Sequence, residues 1–527
     1  MLIATLLTAS SASADTAAVL IGKNQMKLAL DGFRFGFADA SGKALAPMHT
    51  QTGLRIDGQA VVSTKVNPGR PGIYVVATET GLKAEVSVEA SSGLVAITVV
   101  PEKKDACTIA LSLGGMSVAY GLGDAGGWSG QLNLVRDKAR TYKLLNNGGS
   151  ERWQSSFVIF PHNQLAGVVL DGKNPKVTLG PDGYTMSVNA DEPATFHYFL
   201  GEVPGIYRKY RSLLTAKGYP QVKPKFRLFE LGWESWAALG YQTRAETVLK
   251  SITNFQDHGY PIRWAVTGSG FWEEGGTTTS FGKFGEKFPA PSAFKQKMHE
   301  RDVKWMIGLR TNFVLPGGPH IPATKKRDFN LKGKFFNGNP LSTVGVDKGY
   351  FLKDASGTLL KKTSPWFPIV PCYLLDGRNL EAVDWYAGLY RSWGIDGIKE
   401  DTMMNVGSGL LDIFNAPVSR LANDGTLVMA RCGSFSSPGT LLRINDTQVK
   451  DMTKRTPINY LQYAASGAPN VYSDTVGFRK MKHYSEDVVR HGWLMALTAG
   501  LAVAENPFSW SPKQQALFKK PINFHYQ

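Results

Sequence analysis

The hydrophobic period of this 527-residue chain changes near Pro224, and its two halves cannot share one layer architecture. Between about residues 19 and 222, apolar and polar residues alternate in short runs, such as 61–64, 72–76, 94–100 and 166–170, broken by Gly, Pro, Asn and Asp. A period of two bounded by turn residues predicts antiparallel strands, here an N-terminal β-sandwich over residues 15–222. Beyond Pro224 short apolar runs alternate with longer helical patterns. Strands are expected at 229–233, 262–266, 303–309, 397–399 and 427–430, and helices at about 244–258, 293–301, 380–393 and 410–421. Strand and helix in turn predict parallel βα units, and at this length a (β/α)8 barrel over residues 223–527. The expected class is therefore multidomain, β followed by α/β.

Composition enters by exclusion. With 43% hydrophobic, 11% aromatic and 19% charged residues, the chain is a folded one and not a disordered or fibrous one. Lys plus Arg number 59 against 43 Asp plus Glu, a net charge of +16, which leaves an anionic partner open. The basic residues are nevertheless scattered, with short clusters at 223–227, 325–327 and 479–482 and no nucleic-acid-binding signature, so a solvated surface is the plainer reading. Cys107, Cys372 and Cys432 form no CxxC pair and the nine histidines no HxH or HExxH spacing, so neither metal nor cofactor is predicted. Gly121, Gly123 and Gly126 match GxGxxG, but Gly127-Trp128-Ser129-Gly130 follows where a helix should open. A glycine-rich turn is expected there in place of a dinucleotide site. Walker and GxSxG motifs are missing from the sequence.

Residues 2–7 form a short apolar run, and Ala12-Ser13-Ala14 before Asp15 reads as a small-residue cleavage site. Residues 1–14 are thus expected to be a signal peptide, and the protein secreted or periplasmic. No other apolar stretch reaches the roughly 20 residues of a membrane span; residues 493–504 suggest a buried helix.

In a barrel of this kind the loops after the strands form the reactive face. Asp401, Asp446 and Asp474 each close a strand-like segment. Two carboxylates converging on one face from different strands can cleave a glycosidic bond, one attacking the anomeric carbon while the other protonates the leaving oxygen. For retention of configuration the carboxyl groups stand about 5 to 5.5 Å apart. Each of these aspartates also has a bland reading, as a helix cap or turn; Asn445-Asp446-Thr447 is in addition a glycosylation sequon.

Residues 394–401, Gly-Ile-Asp-Gly-Ile-Lys-Glu-Asp, resemble the Gly-x-Asp-x-x-Lys-x-Asp nucleophile strand of glycoside hydrolase family 31, the retaining α-glycosidases. Arg431-Cys432-Gly433 followed by residues 443–446 resembles the family's stretch of a sugar-contacting Arg and an acid/base Asp. Residues 284–289, 376–385 and 473–478 resemble three further family segments in the family's order, and the likeness runs from about Tyr120 to Pro507. The resemblance implies Asp401 as nucleophile, Asp446 as general acid/base and Arg431 as a substrate contact. Lys399, Trp272, Asp474, Trp233 and Arg310 complete the candidate substrate contacts. It implies an oligosaccharide, polysaccharide or glycoside substrate, and no cofactor.

Two departures bear on the substrate. Thr267-Gly268-Ser269-Gly270-Phe271-Trp272 offers no acid where the family's α-glucosidases hold a sugar hydroxyl, and Ala504-Glu505-Asn506-Pro507 replaces an Arg-x-His. Both favour an α-galactoside or another altered pyranose, with an anionic glycan kept open by the charge. A third departure concerns the fold: after a helix expected at about 485–504, the remainder contains Pro507, Pro512 and Pro521 and shows no eighth strand, so the barrel is expected to be incomplete. A transglycosylase and a catalytically inactive carbohydrate-binding protein are the alternatives.

Overall fold

The computed structural model describes the chain outside residues 1–15, 103–106, 128, 145–154, 269–283, 285–286, 310–311, 316–339, 355, 364–370, 401–409, 431–434, 436, 438, 444–454, 473–485 and 497–499. It divides into two units, Met1–Leu145 with Gln154–Lys217 and Leu461–Gly467, and Asn146–Trp153 with Gly218–Tyr460 and Ala468–Gln527.

The first unit is antiparallel β, in sheets of four and thirteen strands. The period of two read from the sequence is what buries its core: in Cys107–Gly114, Ile109, Leu111 and Leu113 are buried while Thr108, Ala110 and Ser112 are partly exposed. Ser112 meets the Thr185 hydroxyl on the next strand at 2.8 Å. The glycine motif is a turn of this unit, as expected. Tyr120–Gly121 pairs antiparallel with Val158–Phe160, and one four-residue helical turn, Asp124–Gly127, follows. Gly121 has φ +127°, and a Cβ there would lie 2.4 Å from the Phe157 carbonyl, so the position admits no side chain.

The second unit holds eight parallel strands: β1 Leu231–Glu234, β2 Trp264–Thr267, β3 Lys304–Leu309, β4 Gly397–Glu400, β5 Leu427–Ala430, β6 Leu441–Arg443, β7 Val471–Tyr472 and β8 Leu501–Val503. Their ladder order is 8-1-2-3-4-5-6-7, with β1 to β7 each beside the next in sequence and β8 returning to β1. The main helices in the same stretch of chain are α1 Ala245–Asp257, α2 Pro291–His299, α3 Leu380–Ser392, α4 Leu410–Asn423, α5 Arg455–Ala465, whose residues from Leu461 on belong to the first unit, α6 Glu486–Ala496 and α7 Pro512–Tyr526. A small antiparallel sheet of Asn312–Val314, Lys361–Thr363 and Pro371–Leu374 is inserted between β3 and α3.

β8 corrects the expectation of a missing strand. The apolar run at 493–504 is the end of α6 plus a strand, with Val503 level with Trp233 of β1. A short buried strand and a buried helix both read as continuous apolar sequence, so periodicity could not separate them. The prolines also mislead as breakers: Pro512 opens α7 at its first turn, where its missing N–H costs nothing, behind a capping box of Ser511 and Gln514.

Candidate active site

Among the described residues the C-terminal ends of the strands carry a set of buried charges. On β1 the side chains alternate. Trp233 packs edge-to-face on Phe255 of α1, ring centroids 5.6 Å apart, and is fully buried. That gives the Trp233 ring a packing role toward the helix layer. Glu234, on the other face, forms an ion pair with Lys399 of β4, both side chains 7% exposed. Gly232 makes room for this strand: a Cβ there would fall 2.0 Å from the Trp264 indole of β2.

β4 alternates likewise. Lys399 meets Glu234, whereas the charge of Glu400 acts on Tyr386 of α3, whose phenol burial pushes well above its ordinary range. Tyr390, one turn on, donates its hydroxyl to the Gly397 carbonyl at 3.1 Å. From β6, the buried Arg443 Nη1 donates to the Glu400 carbonyl at 3.3 Å. β4 is therefore held at its start from α3 and at its end from β1 and β6. At the end of β2, Thr267 is fully buried, accepting the Trp305 indole N–H at 2.8 Å and donating to the Met306 carbonyl at 3.4 Å. Past β8, Glu505 is half-buried, and burial raises its carboxyl to about 7.

Other residues of the sequence motifs turn out to build the scaffold. Asp396 stands at the start of β4, where its carboxylate accepts from the Trp305 backbone N–H at 2.8 Å and pairs with His299 at 2.8 Å and Lys295 at 3.3 Å. Asn379 caps α3 by accepting from the N–H groups of Glu381 and Ala382, Asp376 clasps Arg378, and Trp385 stacks on Phe313. Phe284 and Phe288 pack on Trp305. These segments fix the ends of β3, β4 and α3.

Of the eight sequence-predicted site residues, Lys399 and Trp233 are described. Asp401, Asp446, Arg431, Trp272, Asp474 and Arg310 lie outside the described residues. Sequence reasoning missed Glu234. Its signal was present in Trp233-Glu234, an acid at a barrel strand end, but it lacked a partner until the fold supplied Lys399.

Residues 220–422 match the family model described as the TIM-barrel domain of glycosyl hydrolases family 31. No curated protein sequence matches the chain. Among solved structures, a family 31 sulfoquinovosidase from E. rectale superposes with TM-score 0.63 at 13% identity, over 98% of this chain and 82% of that one. A family 31 α-xylosidase from a soil metagenome gives TM-score 0.65 at 14% identity, over 99% and 78%. The Flavobacterium johnsoniae dextranase of the same family gives 0.60 at 14%, over 99% and 68%. These likenesses are likenesses of fold, and the family match covers the segment from β1 to α4.

Proposed function

On the premise that the chain carries a glycoside hydrolase family 31 barrel, we propose that it is a retaining α-glycosidase acting on a non-glucose or modified α-glycoside, such as an α-galactoside. The observation that carries the reading is β4. It lies within the matched segment, runs parallel in the barrel, and has Lys399 and Glu400 as its last residues, immediately before Asp401 in the sequence.

Asp401 attacks the anomeric carbon as the bond to the leaving oxygen breaks, and Asp446 gives that oxygen its proton. Asp446 then takes a proton from water, which attacks the same carbon, breaks the glycosyl–Asp401 ester and releases the sugar with its configuration retained. The absence of an acid in residues 267–272, together with a Thr267 whose hydroxyl is committed to Trp305 and Met306, supports a glycone other than glucose. The N-terminal run of residues 2–14 supports export to the periplasm or medium.

The test is nitrophenol release from α-linked glucosides, galactosides, xylosides, N-acetylgalactosaminides and sulfoquinovosides. Release from one of them, lost by about 1000-fold or more in Asp401→Asn, is the expected outcome. Undiminished release by that variant sinks the nucleophile assignment, and silence of the folded wild type across the panel sinks the glycosidase reading.

A further inference from the structure

Glu234 and Lys399 come from strands that are not neighbours. In the ladder β2 and β3 stand between β1 and β4, so the two side chains meet across the barrel interior. A buried ammonium has to be matched by an anion, and removing one member of such a pair leaves the other uncompensated. Lys399 also stands two residues before Asp401 in the sequence, so the chain between them spans at most about 7 Å.

We propose that Glu234 is a positioning residue that neutralises Lys399 and thereby sets the charge state of the nucleophile. The proposal rests on the reading of Asp401 as that nucleophile. With the Glu234 charge removed, Lys399 draws more strongly on the remaining carboxylates near it, and a nucleophile drawn into an ion pair titrates lower and attacks less readily.

The other charged groups at this end of the barrel, among the described residues, have contacts of their own. Glu400 on β4 acts on Tyr386, on the strand face opposite to Lys399. Arg443 on β6 carries the same sign as Lys399 and donates to the Glu400 carbonyl. Glu505 after β8 owes its raised carboxyl to burial, with no cation among the causes.

The experiment is the pH profile of kcat/KM on the nitrophenyl α-glycoside that the panel identifies, because its acid limb reports the free enzyme's nucleophile. In Glu234→Gln the limb moves down by about one pH unit and kcat drops about tenfold or more. In Lys399→Met, which removes the cation paired with Glu234, the limb moves up. In the double variant, with both charges gone, it returns to within about 0.3 of wild type. Folding of each variant is checked by circular dichroism and thermal melting, so that either single variant suffices if the other fails to fold. A limb that stays in place in the folded single variants, whatever happens to the rate, overturns the proposal and leaves the pair as packing. Asp401→Asn, run alongside, separates this from failure of the reading beneath it: full turnover by that variant discards the nucleophile itself.

Discussion

At the scale of single residues, burial and alternation assign roles that residue type leaves open. Trp233 is aromatic and sits at a barrel strand end, features of a sugar platform, yet its position on the strand turns the ring to Phe255. Asp396 and Lys399 share one motif, and the first anchors the strand's beginning while the second meets Glu234 near its end. Glu505 yields a prediction of its own. Its folded carboxyl titrates near 7, above the unfolded value, so the stability it supports is present at low pH and is lost as pH rises from about 4.5 through about 7. Glu505→Gln removes the ionisable group. Thermal melts at pH 5 and pH 8 should therefore show the variant gaining on wild type as pH rises; parallel curves for the two proteins would exclude this burial.

At the scale of elements, the barrel strands were legible where their apolar runs were short and bounded. β5 was read at 427–430 and is Leu427–Ala430, and α1, expected at 244–258, is Ala245–Asp257. β7 and β8 were harder because two or three residues carry no period, and a strand of that length is fixed by its neighbours. Two glycines separate element from site. Gly232→Ala pushes a methyl into the Trp264 indole and should cost about 1–3 kcal/mol in denaturant unfolding. Gly388→Ala, on the exposed face of α3 with open space around it, should gain about 0.5–1 kcal/mol by reducing the freedom of the unfolded chain. Equal effects of the two substitutions would contradict the strand-to-strand packing.

At the scale of the whole molecule, a net charge of +16 acts on stability and not on fold. Several of the described ion pairs are partly or well exposed, such as Arg70 with Glu85 and Arg420 with Asp384, and each adds little. Self-repulsion then dominates the surface, and raising NaCl from about 20 to 200 mM should raise the melting temperature through screening. A fall in melting temperature over that range would mean that favourable pairs outweigh the repulsion.

The sequence by itself determined the class of each half, because a period of two or a strand-helix alternation is a local property that survives without knowledge of any partner. It also carried the family resemblance, because the residues that fix β3, β4 and α3 lie close together in the chain. Only the tertiary structure decided that β8 lies beside β1, that Trp233 packs outward and that Glu234 meets Lys399. Each of these depends on strands distant in sequence coming side by side or facing one another across the barrel interior, and no local period records which strands those are.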